Sequence, residues 1–316
     1  MKILVIFTGG TIGSSARDGW ISPDGQSKRE LIGAYEASHA CDDVCFVISE
    51  PYTILSENLT ADNLNALTAT VREATKENYD GIIITHGTDT LQYSAAALSL
   101  ALEAPQIPIL LVSSNYPLDD ERANGHANFA AAIEFIRARA GLGVFVSYRN
   151  ENRPVRFHRG SALLAHREAD DSLCSLGGKY YAEMPDGEIV IKEKEAPSDI
   201  SVGEFKLNEF SELLVVDICP GERYKYDVRD YKAIILRPYH SGTLNTSSSA
   251  FEAFCLDASE KGVPIFVVNV NKGDAYASSK EFERLGIKAI YDSAFAATYI
   301  RLWIAVSRGE DLKNLF

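Results

Sequence analysis

The sequence is poor in the features that most readily reveal a function. Cysteine occurs five times in 316 residues, at Cys41, Cys45, Cys174, Cys219 and Cys255. An odd count favours free thiols over a disulfide framework, and no second pair or histidine cluster completes a zinc site around Cys41 and Cys45. No apolar run approaches the roughly 20 residues of a membrane-spanning helix. Positive charge is scarce: 31 Lys and Arg against 44 Asp and Glu leave a net charge of −13. Phosphate would be repelled, so neither nucleic acid nor an anionic membrane is expected as the main partner. The chain has no G-x-S-x-G elbow and no P-loop lysine. Residues 1–7 carry one positive charge and an apolar run shorter than the roughly 7–15 residues of a signal peptide. They read as the first strand of a cytoplasmic protein.

What is present is a globular composition, 46% hydrophobic and 24% charged, long enough for two domains. The chain is organised around Asp80-Gly81-Ile82-Ile83-Ile84-Thr85-His86-Gly87-Thr88-Asp89-Thr90. Three aliphatic residues make a strand too apolar to face water. It runs into a polar turn and then a helix over 91–103. Gly87 permits a backbone closed to other residues and lets a ligand come close. Thr88, Asp89 and Thr90 supply side-chain oxygens where a helix begins. A simple cap needs only one of the three. Thr8-Gly9-Gly10-Thr11-Ile12-Gly13 repeats the layout after the strand at 3–7.

Between these, 14–26 shows no helical period and reads as a glycine-punctuated loop. It is either a mobile lid anchored by Trp20 or an ordinary surface loop. A helix over 27–40, a strand over 44–49 and a helix over 60–77 precede the organising strand. A strand over 107–113, a helix over 123–140 and a strand over 143–148 follow it. This alternation predicts a doubly wound, parallel-type α/β sheet that binds ligands outside the carboxyl ends of its strands. Residues 149–185 read as a hairpin-like appendage. The expected organisation is an N-terminal α/β domain over 1–185, a charged linker over 186–210 and a smaller α/β domain over 211–316. In the last, strands are expected at 213–218, 233–236, 264–270 and 287–291, with helices at 248–261, 278–285 and 294–306.

The glycines at 9, 10 and 13 do not make a G-x-G-x-x-G turn, although a nucleotide-binding turn stays open. Threonine chemistry remains, at Thr11 and Thr88 with Asp89 beside the latter. A threonine hydroxyl needs a base before it attacks, and backbone N–H groups of glycine turns could form an oxyanion hole. Asp89 is better suited to grip an ammonium group. His86 reads as structural. Such turns are more often structural than catalytic, and two of them, each followed by a helix, weigh against that reading.

The two turns together resemble the bacterial-type L-asparaginase family. Leu55-Ser56-Glu57-Asn58-Leu59-Thr60 resembles its substrate loop. Residues 111–128, with Pro117, Gly125 and Asn128, resemble the cytoplasmic type I branch. Ile235-Leu236-Arg237-Pro238-Tyr239 and the closing helix at Thr298 resemble its C-terminal domain. The resemblance implies hydrolysis of asparagine to aspartate and ammonia through an acyl-threonine, with no metal or cofactor. Thr11 would be the nucleophile, and Thr88 would work with Asp89 and a lysine. Asp89 would also hold the α-ammonium, with Ser56, Glu57 and the backbone at Gly10, Gly87 and Ser114 around the substrate. A homodimer or homotetramer is implied, with Asn245 reaching a neighbouring subunit's site.

The chain departs from the family twice. Trp20 stands where the family has a loop tyrosine, and an indole has no hydroxyl. The family lysine matches Leu164 or Ala165, with His166 and Arg167 the nearest basic groups. A catalytically weak protein that binds an amino acid as a sensor or regulator is the alternative this suggests.

Overall fold

The computed structural model describes residues 1–17, 20–23, 27–39, 43–167, 169–193, 202–270, 272–273 and 276–316, with the side chains of 13–29 outside the description. The chain divides into two compact units, Met1–Phe205 and Lys206–Phe316.

In the first unit the strands are β1 (Lys2–Phe7), β2 (Ser14–Arg17), β3 (Trp20–Pro23), β4 (Cys45–Ser49), β5 (Gly81–Thr85), β6 (Pro108–Val112), β7 (Gly143–Arg149), β8 (Val155–Arg159), β9 (Ala182–Met184) and β10 (Val190–Ile191). The helices are α1 (Ser27–Ser38), α2 (Ala61–Ala74), α3 (Leu91–Ala101) and α4 (Gly125–Arg137). Eight strands form one sheet in the order β10-β9-β8-β7-β6-β5-β1-β4. From β4 to β7 every pairing is parallel. Burial on both faces explains the unbroken apolar runs of β1 and β5. Ile3, Val5 and Phe7 pack with Phe129, Ile133 and Phe135 on one face, while Leu4 and Ile6 pack with Leu67, Val71 and Leu98 on the other. Helix α4 therefore covers one face, and α2 and α3 cover the opposite one. This is a doubly wound α/β sheet, as the alternation predicts.

The expected appendage over 149–185 is in fact part of this sheet. β8 pairs antiparallel with β7, and β9 with β8. Val190–Ile191, inside the charged stretch, adds a last short antiparallel strand. Residues 14–17 and 20–23, expected in a loop, are instead β2 and β3, paired antiparallel with Arg17 opposite Trp20. The Asp-Gly pair at 18–19, which lies outside the described residues, is the hairpin signal passed over. The Trp20 side chain, the expected lid anchor, lies outside the description as well.

The second unit holds β11 (Leu213–Asp217), β12 (Ala233–Arg237), β13 (Ile265–Val270) and β14 (Ile287–Tyr291), with α5 (Ser249–Glu260) and α6 (Phe295–Arg308). Its four strands run parallel in sequence order. Ser248 caps α5 by accepting from the Phe251 N–H. The helix expected over 278–285 is only a 3-10 turn, Ala277–Glu281. Phe282 and Leu285, the buried large side chains, follow this turn rather than belong to it, so the apolar spacing did not require a full helix. Among the described residues no helix is long and apolar enough to cross a membrane. Cys45, Cys174, Cys219 and Cys255 are free thiols, and Cys41 lies outside the described residues.

One core histidine gives the first unit a pH dependence. His158 of β8 is buried, with Nδ1 bonded to the Ser175 hydroxyl at 2.8 Å and no partner on Nε2. Burial pushes its pKa down from 6.5 to about 3. The unfolded chain takes up this proton near pH 6.5, so the contribution is present above that pH and is lost as the pH falls toward 3. Urea unfolding at about pH 6.5 and pH 4.5 is expected to show a loss of about 2–3 kcal/mol from this group. His158→Gln should remove that part of the slope. An equal slope in the variant would assign the acid sensitivity to other groups.

Candidate active site

Two glycine turns at the carboxyl ends of β1 and β5 build the site. Gly9 and Gly10 have φ of 98° and 77°, values open to glycine and strained for other residues. A Cβ on Gly10 would lie 2.2 Å from the Gly87 nitrogen, and one on Gly87 would lie 2.3 Å from the Ser56 Oγ. The two turns thus meet backbone to backbone. Thr11, first residue of the 3-10 turn Thr11–Gly13, and Thr88 each directly follow a glycine of that contact.

A third segment locks onto both turns. The Gly10 N–H donates to the Ile54 carbonyl at 3.0 Å, and the Ile54 N–H donates to the Thr8 carbonyl at 3.1 Å. Gly10 therefore contributes close backbone approach, its N–H being engaged with Ile54. The Ser56 hydroxyl donates to Asp89 Oδ2 at 3.3 Å, and the Thr90 hydroxyl donates to the Ser56 carbonyl at 2.9 Å. Gln92 Nε2 donates to the Asp89 carbonyl at 3.1 Å. Ser56 is buried, whereas Glu57 and Asp89 are exposed. The two carboxylates are thus open to a ligand while Ser56 braces one of them.

His86 is structural. Its Nδ1 pairs with the Gly87 carbonyl at 2.8 Å, which requires a proton there, so Nε2 accepts from the Ser94 hydroxyl at 2.7 Å. Burial lowers its pKa. The imidazole is a neutral brace beneath the turn.

Ser114, fully buried, follows β6 beside these turns, since Thr85 and Val112 are parallel neighbours. Sequence reasoning missed what holds its two neighbours, Ser113 and Asn115. Asn124 Oδ1 accepts from the Asn115 N–H at 3.0 Å, and its Nδ2 donates to the Arg149 carbonyl at 2.9 Å. Asn128, quoted only as part of a resemblance, donates to the Ser113 carbonyl at 2.8 Å and accepts from the Arg149 N–H at 2.7 Å. Two asparagines at the start of a helix were the available signal. Asn245 lies in the second unit, where its Oδ1 accepts from the Tyr224 hydroxyl at 2.8 Å. No lysine occurs over 160–167. No group of three or more potential metal ligands occurs among the described residues.

Strand-end loops that carry threonines and exposed carboxylates form the candidate site on a doubly wound α/β scaffold. The comparisons supply the family. The Asparaginase, N-terminal family matches residues 2–195, and the chain belongs to the asparaginase family and is an asparaginase-type amidohydrolase. It is 29% identical over 333 residues to L-asparaginase 1 of Escherichia coli strain K12, covering 99% of this chain and 94% of the relative. It is 31% identical over 182 residues to one component of the glutamyl-tRNA(Gln) amidotransferase of Methanosarcina barkeri, covering 56% of this chain and 42% of the relative. The solved thermostable L-asparaginase of Thermococcus kodakarensis superposes with a TM-score of 0.81 at 23% identity, over 100% of this chain and 95% of that one.

Proposed function

We propose that the protein hydrolyses the side-chain amide of L-asparagine to L-aspartate and ammonia through an acyl-Thr11 intermediate. The contact of Gly10 with Gly87 carries the reading, because it sets the Thr11 and Thr88 turns against one another beside Asp89. Asp89, braced by Ser56, takes the substrate ammonium, and Glu57 stands on the same loop. Thr11 Oγ1 attacks the amide carbon, the C–N bond breaks, and ammonia leaves. Water then attacks the ester and frees Thr11. Ser114 borders the leaving amide. The protein works in the cytoplasm, in keeping with its free thiols. It self-associates as a homodimer or homotetramer, with Asn245 serving a neighbouring subunit.

Ammonia release from L-asparagine, D-asparagine and L-glutamine tests this, with L-asparagine expected to give the highest kcat/KM. Folded protein releasing none from any of the three would overturn the reading. The missing lysine favours one alternative, an amino-acid-binding protein with little turnover. Calorimetry showing no binding of aspartate or asparagine would reject it.

A further inference from the structure

His166, half-buried, differs from the buried histidines of the first unit. Its loop is tied down on both limbs. Leu163 bridges to Ser175, and the Leu164 N–H donates to the Cys174 carbonyl at 3.0 Å. Asn150 holds Leu173 twice, donating to its carbonyl at 2.9 Å and accepting its N–H at 2.8 Å. The Tyr148 hydroxyl donates to the Asp171 carbonyl at 2.9 Å. The His166 ring meets Tyr148 edge to face with centroids 5.6 Å apart. Its position is therefore set by packing.

Both His166 ring nitrogens are shielded from water and make no well-aligned hydrogen bond, the Thr88 backbone being the polar group that approaches the ring. A histidine serving only the fold reduces this cost by pairing its nitrogens, as His86 does at both with Gly87 and Ser94 and His158 does at one with Ser175. The ring also lies against the organising turn, close enough for the Asp89 carboxylate and a Thr88 backbone group to act on it. An imidazole held in place, without a well-aligned hydrogen bond and set against a hydroxyl-bearing turn is suited to exchange a proton there.

Resting on the Thr11 reading above, we infer that His166 is the proton acceptor of this site, working on the Thr88 hydroxyl. As Thr11 Oγ1 bonds to the amide carbon, its proton passes to Thr88 Oγ1 and the Thr88 proton passes to His166. The C–N bond then breaks, and the same relay returns the proton to the departing nitrogen, which leaves as ammonia. In the second half, water takes the place of Thr11 as proton donor, and the relay restores the Thr11 hydroxyl as the ester bond breaks. No oxidant or co-reactant is needed.

The surrounding charges set the pH dependence. Burial lowers the His166 pKa from 6.5, opposed by Asp171, Asp89, Asp170 and the Thr88 backbone. Arg167 acts on Asp170, and burial pushes the Tyr148 phenol up to about 12. The imidazole is thus neutral and able to accept a proton at neutral pH. The plot of kcat/KM should rise along an acid limb centred below 6.5 and then level.

The test is kcat/KM for L-asparagine from about pH 4.5 to 8.5, in wild type, His166→Gln, His166→Ala and Thr11→Val. Both His166 variants should lose about 100-fold in kcat at neutral pH, keep KM within about threefold and lose the acid limb. Added imidazole should restore part of the rate to His166→Ala. Unchanged kcat and acid limb in both His166 variants, with Thr11→Val inactive, would overturn the His166 assignment and leave the amidohydrolase reading standing. Wild-type protein inactive on every amide would overturn both.

Discussion

Thr11→Val is expected to lower kcat for L-asparagine by about 10⁴-fold or more, the scale on which enzymes lose turnover when a nucleophile is removed. Valine keeps the branched shape and nearly the volume of threonine, so the substitution removes one hydroxyl and little else. The local backbone does not depend on that hydroxyl. Its conformation is fixed by the positive φ of Gly9 and Gly10, the Gly10–Gly87 contact and the bonds to Ile54. Binding of L-aspartate, measured by calorimetry, should therefore stay within about threefold of wild type, since the proposed gripping groups Asp89 and Ser56 are untouched. The combination of lost turnover and kept binding separates a nucleophile from a binding group. Thr88→Val is the companion, because an active Thr11→Val would move the covalent chemistry to Thr88. Ammonia release from both variants decides between the two hydroxyls.

The parts of this molecule legible in the sequence are those set by local pattern. The apolar run of β1 splits between the two faces of the sheet, Ile3, Val5 and Phe7 on one and Leu4 and Ile6 on the other. Such a run identifies a buried strand before any partner is known. The Gly9-Gly10 turn was legible because few residues tolerate the backbone it adopts, whereas Gly87, expected to need such a backbone, has no positive φ and is required by the close approach of Ser56 and Gly10. What escaped was set by partners distant in sequence. The antiparallel additions β8 and β9 are short strands whose composition says nothing of which edge they join. The engagement of the Gly10 N–H depends on Ile54, 44 positions away (54 − 10). His86 and His166 are both isolated histidines in the sequence. Only the structure separates a ring with both nitrogens well bonded from one whose nitrogens make no well-aligned bond.

Asp89→Asn is expected to weaken L-aspartate binding by about 30-fold to several thousand-fold. That range corresponds to the roughly 2–5 kcal/mol lost when a charged group is desolvated without its partner. The carboxylate is exposed before binding, so a ligand ammonium can reach it, and the bound ligand then excludes water from the pair. Asparagine keeps the shape and can still accept the Ser56 hydroxyl through its amide oxygen, while the Asp89 carbonyl that holds Gln92 is untouched. The thermal midpoint should accordingly stay close to wild type, which distinguishes lost binding from lost folding. The substitution also acts on His166. Asp89 is one of the charges that raise the His166 pKa, so its removal should move the acid limb of any residual turnover to lower pH. Calorimetry with L-aspartate gives the first effect and the pH profile of kcat/KM the second. An unchanged dissociation constant in folded Asp89→Asn would show that the ligand is not an α-amino acid gripped through its ammonium group, and the substrate assignment would fall with it.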